Sequence, residues 1–163
     1  MSEKKPIRSL LIAADHAGFA LKERLRRSLE KKGYRVKDLG TYSGARCDYP
    51  RYGYALAQEI GSGKAERGIL ICKSGIGQSI VANRVPGVRA ALCYDARAAR
   101  LSRQHNDANV LVMGSGFVTL ARAERIASAW LRTAFEGGRH QRRLDIIKKI
   151  EKQIAGKGEG QRR

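Results

Sequence analysis

The sequence predicts an α/β fold: an open sheet of about five parallel strands with helices on both faces, plus a C-terminal helix. Three observations predict it. Short apolar runs of strand length recur five times along the chain. Between them lie longer segments whose apolar residues repeat every three or four positions. Glycine marks most of the changes from one pattern to the other. Strands alternating with helices build right-handed βα units, which give a parallel sheet covered on both sides. The result is a three-layer αβα, Rossmann-like arrangement.

Ile7 to Ala14 is the first apolar run, and it ends at Asp15-His16-Ala17-Gly18. Residues 17–32 read as a helix, because Leu21, Leu25 and Leu29 form an i, i+4 stripe among Lys, Arg and Glu. Gly33 is a suitable stop. Arg35 to Leu39 alternates as a second strand. The turn-rich stretch TYSGARCDYP follows, and Pro50 suits the start of a helix reaching about Ile60. Gly68 to Asn83, GILICKSGIGQSIVAN, then places Cys72 at the end of a buried strand. A glycine loop follows it, with a helix starting behind Gln78 and Ser79. Val88 to Cys93 is the fourth strand, introduced by Pro86-Gly87. Asp95 is a suitable N-cap for a helix carrying Ala98, Leu101 and Ser102. His105-Asn106-Asp107 interrupts, and Asn109 to Met113 supplies the fifth strand. A helix over 119–135 carries Leu120, Ala123, Ile126, Ala127, Trp130 and Leu131 on one side. The last helix begins near Arg139 and presents Leu144, Ile147, Ile150 and Ile154 on one face. Residues 1–150 are expected to form one domain, and 151–163 the helix end and a basic, disordered tail.

The totals exclude several classes of protein. At 163 residues, 42% hydrophobic and 29% charged, the chain suits one globular domain. No apolar run approaches the roughly 20 residues of a membrane span, and MSEKKPIRS lacks the apolar core of a signal peptide. Cys47, Cys72 and Cys93 are widely spaced and form no C-x-x-C pair, which argues against a disulfide framework and a zinc site and for a reducing cytoplasm. Thirty-three Lys and Arg against 15 Asp and Glu give a net charge of +18. This excess is spread over helix faces and both ends, without an aromatic RNA-binding signature. It predicts a non-specific, salt-sensitive affinity for polyanions and no specific nucleic-acid partner.

In open parallel sheets, ligands bind outside the carboxyl ends of the strands. That rule selects Asp15-His16 and the stretch from Cys72 to Gly77. For Asp15 a helix cap alone and a ligand contact are both open readings. The loop after Cys72 aims backbone N–H groups at whatever sits above it, beside a thiol. Arg139 and Arg143 share a helix face, with His140 and Arg142 nearby. Positive charge at a helix start opposes the helix dipole, and a bound phosphate would offset that cost. A solvated basic face is the plainer reading of the same cluster. No phosphate-binding P-loop or dinucleotide fingerprint is present, so the site suits a small phosphorylated molecule.

ADHAGFALK (14–22), DLGTYS (38–43), DYP (48–50) and ILICKSGIGQSIVANRVPGVRAAL (69–92) resemble ribose-5-phosphate isomerase B and the related galactose-6-phosphate isomerase subunits. LSRQHNDANVLVMGS (101–115) and EGGRHQRR (136–143) complete the resemblance, in family order. It implies an aldose–ketose isomerase without metal or cofactor, working through a cis-enediolate. The implied assembly is a homodimer or homotetramer with sites shared between subunits. Cys72 would be the base, His105 would open the furanose ring, and Ser74 would orient protons. Asp15, Tyr49 and Asn106 would hold sugar hydroxyls, and His16, Arg139 and Arg143 the phosphate. The backbone of Lys73, Ser74, Gly75, Ile76 and Gly77 would stabilise the enediolate as an oxyanion hole does. Three positions depart from the pattern: Lys73 replaces a usual glycine, Gly116 a frequent arginine, and Gln78 the glutamate base of a second branch. The alternatives are an isomerase of allose or galactose 6-phosphate, admitted by volume freed at Gly116, and a non-catalytic sugar-phosphate or polyanion binder.

Overall fold

A computed structural model describes residues 8–160, with side chains through residue 156. The chain runs β1 (Ser9–Ala14), α1 (Phe19–Lys31), β2 (Arg35–Asp38), α2 (Tyr49–Gly61), β3 (Gly68–Cys72) and α3 (Ile76–Ala82). It continues through β4 (Ala90–Leu92), α4 (Ala96–Asn106), β5 (Val110–Gly114), α5 (Leu120–Arg132) and α6 (Arg139–Gly160). Five parallel strands form one sheet in the order β2-β1-β3-β5-β4. The chain winds outward from β1 to β2, then crosses back to β3. The crevice at the carboxyl ends of β1 and β3 is therefore a topological switch point, where such sheets hold ligands.

Alternate residues of each strand feed two cores, as a two-residue period requires. Leu10, Ile12, Ile69, Ile71, Leu111 and Met113 pack under α1, α4 and α5. Leu11, Ala13, Leu70, Val110 and Val112 pack under α2 and α3. Each fully buried Leu or Ile contributes about 1.5–3 kcal/mol relative to exposure. The largest buried side chain is Trp130 on α5. The guanidiniums of Arg67 and Arg103 lie 5.6 and 6.0 Å from its ring centroid. Burial pushes Arg67 down to about 10, and the indole faces help to accommodate the two cations.

Several boundaries move from the sequence reading. The fourth strand is only Ala90–Leu92, not Val88 to Cys93. The helix expected behind Ser79 starts at Ile76, because Gly75 adopts φ 83° as its N-cap and turns the chain sooner. His105 and Asn106 do not interrupt a helix; they are the last turn of α4, which ends where Asp107 takes φ 45°. Asp95 caps α4 as expected, accepting from Ala98 N at 2.8 Å. Helix α6 runs to Gly160, so the expected disordered tail remains a matter for residues 161–163, outside the described residues.

Candidate active site

The carboxyl edge of the sheet gathers one group of the sequence-selected residues. Cys72 ends β3 and is 5% exposed. Its sulfur accepts a hydrogen bond from the Gly75 amide at 3.1 Å. The loop is braced from β5, since Ser115 N donates to Cys72 O at 2.8 Å and Gly116 N to Lys73 O at 2.9 Å. Tyr94 Oη donates to Ser74 O at 2.9 Å. Two of the five loop amides expected to face an oxyanion are thus engaged within the chain: Gly75 on the sulfur, and Ile76 on Ser74 Oγ at 3.2 Å.

Asp15 and His16 occupy the neighbouring strand exit. Asp15 is 6% exposed, and its Oδ1 accepts from Gly18 N at 2.9 Å. Gly18, not Asp15, is the N-cap of α1, so Asp15 fastens the turn ahead of the helix. His16 Nδ1 lies 3.1 Å from Cys47 O and 3.3 Å from Cys47 N, which ties β1 to the loop before α2. Tyr49, at the start of α2, lays its ring against the first turn of α3. A Cβ at Gly77 would stand 2.6 Å from Tyr49 Cζ. Asp15, His16, Tyr49 and residues 72–77 are therefore brought to one edge of the molecule.

The amino edge gathers the rest. His105 and Asn106 end α4, and Asn106 O accepts from Arg89 Nε at 3.0 Å. Arg103 fixes this corner from inside, donating to Ala108 O at 2.7 Å and pairing with Asp107. Glu136 N donates to Gln104 O at 3.1 Å, which brings the Glu136-Gly137-Gly138 turn alongside. The two glycines have φ 68° and 55°, a conformation that reverses the chain into α6. The His105 and His140 rings then stack with centroids 4.3 Å apart and planes 7° apart. Arg139 and Arg143 stand exposed beside them. His140 is pushed below the usual histidine range, first by burial and then by His105, Arg139 and Arg143.

The two groups do not meet within one chain. Cys72 pairs with Gly114 and Gly68 with Val110, while Asn109, just past the α4 end, bonds to Gly68. Four residues of strand separate the two levels, about 13 Å at 3.3 Å per residue. Clefts of about 650 and 760 Å³ lie elsewhere, beside Tyr54 and Val85 and beside Leu10 and Lys64. The sequence reading named His140 only as a neighbour of the arginines, Gln78 only at the helix start and as a departure from the family pattern, and did not single out Glu136. The structure gives all three a more definite place. Glu136 and His140 join His105, and the paired glycines before Arg139 were the available signal. Gln78 is fully buried with both amide atoms unpartnered, which the late helix start concealed.

Fold and candidate site together define an open parallel-sheet α/β protein with a thiol and main-chain donors in the crevice at its carboxyl edge. The family described as Ribose/Galactose Isomerase matches residues 10–147, and the chain belongs to that family. It is 45% identical to ribose-5-phosphate isomerase B of Escherichia coli K12 over 145 residues, 89% of this chain and 97% of that protein. The structure of Clostridium thermocellum ribose-5-phosphate isomerase B superposes with a TM-score of 0.88 at 45% identity, covering 90% of this chain and 99% of that one. The Mycoplasma genitalium ribose-5-phosphate isomerase B, solved with bound ribulose 5-phosphate, gives 0.84 at 42% identity, covering 88% and 96%. Among the described residues no helix is long and apolar enough to cross a membrane.

Proposed function

We propose that the protein interconverts ribose 5-phosphate and ribulose 5-phosphate through a cis-enediolate. Cys72 takes the C2 proton of the opened aldose and returns it to C1. The reading is carried by the Gly75 amide aimed at the Cys72 sulfur in the β1/β3 crevice, because a main-chain donor there supports negative charge on sulfur. Ser74 orients the O1 and O2 protons. Asp15, Tyr49 and Asn106 hold hydroxyls, and His16, Arg139 and Arg143 hold the phosphate. His105 opens the ring. No metal or cofactor takes part in these steps.

The separation of the two groups gives this reading an assembly. A site needing both Cys72 and His105 is completed when the carboxyl edge of one subunit meets the amino edge of another. A two-fold dimer then holds two such sites. Ile146, Ile147, Ile150 and Ile154 on α6 are exposed and supply an apolar contact face. Turnover of ribose 5-phosphate in a coupled assay, with light scattering on the same sample, tests both points. An active monomer, or no turnover by the dimer, refutes the reading.

The pentose is favoured over a six-carbon sugar phosphate by one contact. A Cβ at Gly116 would lie 3.2 Å from Lys73 Cε and 3.4 Å from its Cδ. The lysine stem fills the volume that a missing side chain leaves, so little room opens for a sixth carbon. Its ammonium also brings a mobile positive charge to that position. Comparing ribose, allose and galactose 6-phosphates as substrates tests the preference. An unchanged KM for ribose 5-phosphate in Lys73→Ala removes the role given to the ammonium.

A further inference from the structure

The ring stack at the amino edge carries more than an acid–base histidine. His105 Nε2 lies 3.9 Å and His140 Nε2 3.7 Å from the same Glu136 oxygen, Oε2. All three ligand atoms fall within 4.8 Å of one another. Separations of 3.7 and 3.9 Å are too long for hydrogen bonds. They are near the roughly 3.3 Å expected between two atoms that each sit about 2.0–2.1 Å from one tetrahedral zinc ion. Two imidazoles and a carboxylate form a borderline donor set, suited to Zn2+ and its first-row neighbours and not to Mg2+ or Ca2+. We propose that His105, Glu136 and His140 form a binding site for a divalent transition-metal ion, and that occupancy reversibly inhibits the enzyme by taking up His105.

The supports of the three side chains differ in a way that suits capture. His140 is nearly buried and fixed at the start of α6, with its backbone N–H on Gly137 O at 3.0 Å. Glu136 is held by its backbone to Gln104 O. His105 is 38% exposed and has room to turn. The parallel stack must open for both Nε2 lone pairs to converge, and the exposed ring is the one that moves. Arg139 Nε, 3.5 Å from His140 Nε2, has to withdraw as well, and its side chain is exposed. The carboxylate of Glu136 supplies a negative charge that offsets part of the positive charge of Arg139 and Arg143.

Binding itself stands apart from the isomerase reading; only the inhibition rests on it. The probe is Co2+ titrated into the full chain, because its visible d–d absorption reports ligand number and type. One Co2+ per chain is expected, with the absorption of a four-coordinate nitrogen and oxygen site. Glu136→Gln and His140→Gln should each weaken binding at least tenfold, while Cys72→Ala leaves the spectrum unchanged. Zn2+ should compete for the site and inhibit turnover, with activity restored by a chelator. Absence of stoichiometric binding, or binding unchanged in Glu136→Gln, overturns the site. A sulfur-to-metal charge-transfer band lost in Cys72→Ala also overturns it, by moving the ion to the thiol. Binding with the expected spectrum but undiminished turnover leaves the site intact and refutes the catalytic role given to His105.

Discussion

The two edges of the sheet are built by different means. At the carboxyl edge main chain does the positioning: Gly75 N meets the Cys72 sulfur, and β5 grips the loop through the amides of Ser115 and Gly116. Space is so close there that a Cβ at Gly18 would stand 2.5 Å from Ile71 O. At the amino edge, long side chains project from the end of α4 and the start of α6, and Asn106, Arg139 and Arg143 are exposed. Proton abstraction demands placement of the reacting atoms to a fraction of an ångström. Charge recognition works over longer distances and tolerates motion. On the proposed reading, proton abstraction falls on the tightly built edge and two of the three phosphate contacts on the looser one, so that neither edge would suffice alone.

The largest effect should come from the rigid edge. Cys72→Ala is expected to lower kcat at least about a hundredfold, as for loss of a general base, with little change in substrate affinity. Retained turnover would remove sulfur from the chemistry. At the soft edge, Arg143→Ala should act chiefly on KM. Loss of one hydrogen bond to a charged group costs about 1.5–3 kcal/mol, roughly tenfold or more. A fall in kcat at unchanged KM would erase the contrast between the edges.

Mixing tests the division directly. Cys72→Ala and His105→Asn, each inactive by itself, should regain about a quarter of wild-type activity after subunits exchange at random. Half of the dimers are then hybrids, and each hybrid has one of its two sites intact. No recovery in verified hybrids would place both residues in one subunit's site. Gly114→Ala probes the packing of the rigid edge, since the added methyl runs into the carbonyl of Ser74. It should cost about 1–3 kcal/mol in denaturant unfolding.

The smallest effect is a pH dependence behind the rigid edge. A hydrogen bond from Arg26 holds Glu23 down to about 2, from an ordinary 4.5. A carboxyl depressed on folding stabilises above its unfolded value, so its contribution is complete above about 4.5 and fades as pH falls toward 2. Glu23→Gln should flatten the stability profile over that interval, modestly, because the pair is partly exposed.

Much of the rigid edge was legible in the sequence, because its signals are local. An apolar run ending in cysteine, followed by glycines, specifies a strand, a turn and a helix within a dozen residues, and Asp95 announces its helix by chemistry alone. The soft edge was legible as residues but not as a place. His105-Asn106 looked like a polar break, yet they form the last turn of α4, which Arg103 secures from inside the fold and the left-handed Asp107 ends. Side-chain periodicity says nothing about which end of a sheet a helix terminus reaches. That follows from the direction of α4 and from β5 inserting between β3 and β4. The Lys73 stem over Gly116 was equally hidden, since it depends on β5 lying beside the loop.

The chain contains a single tryptophan, and it sits beside the guanidiniums of Arg67 and Arg103. Arg103 in turn anchors the corner that carries His105 and Asn106. Indole emission responds to nearby charge, so the protein carries an intrinsic fluorophore wired to its softer edge. Any event that displaces Arg103 at that corner would become an optical signal that no label has to supply.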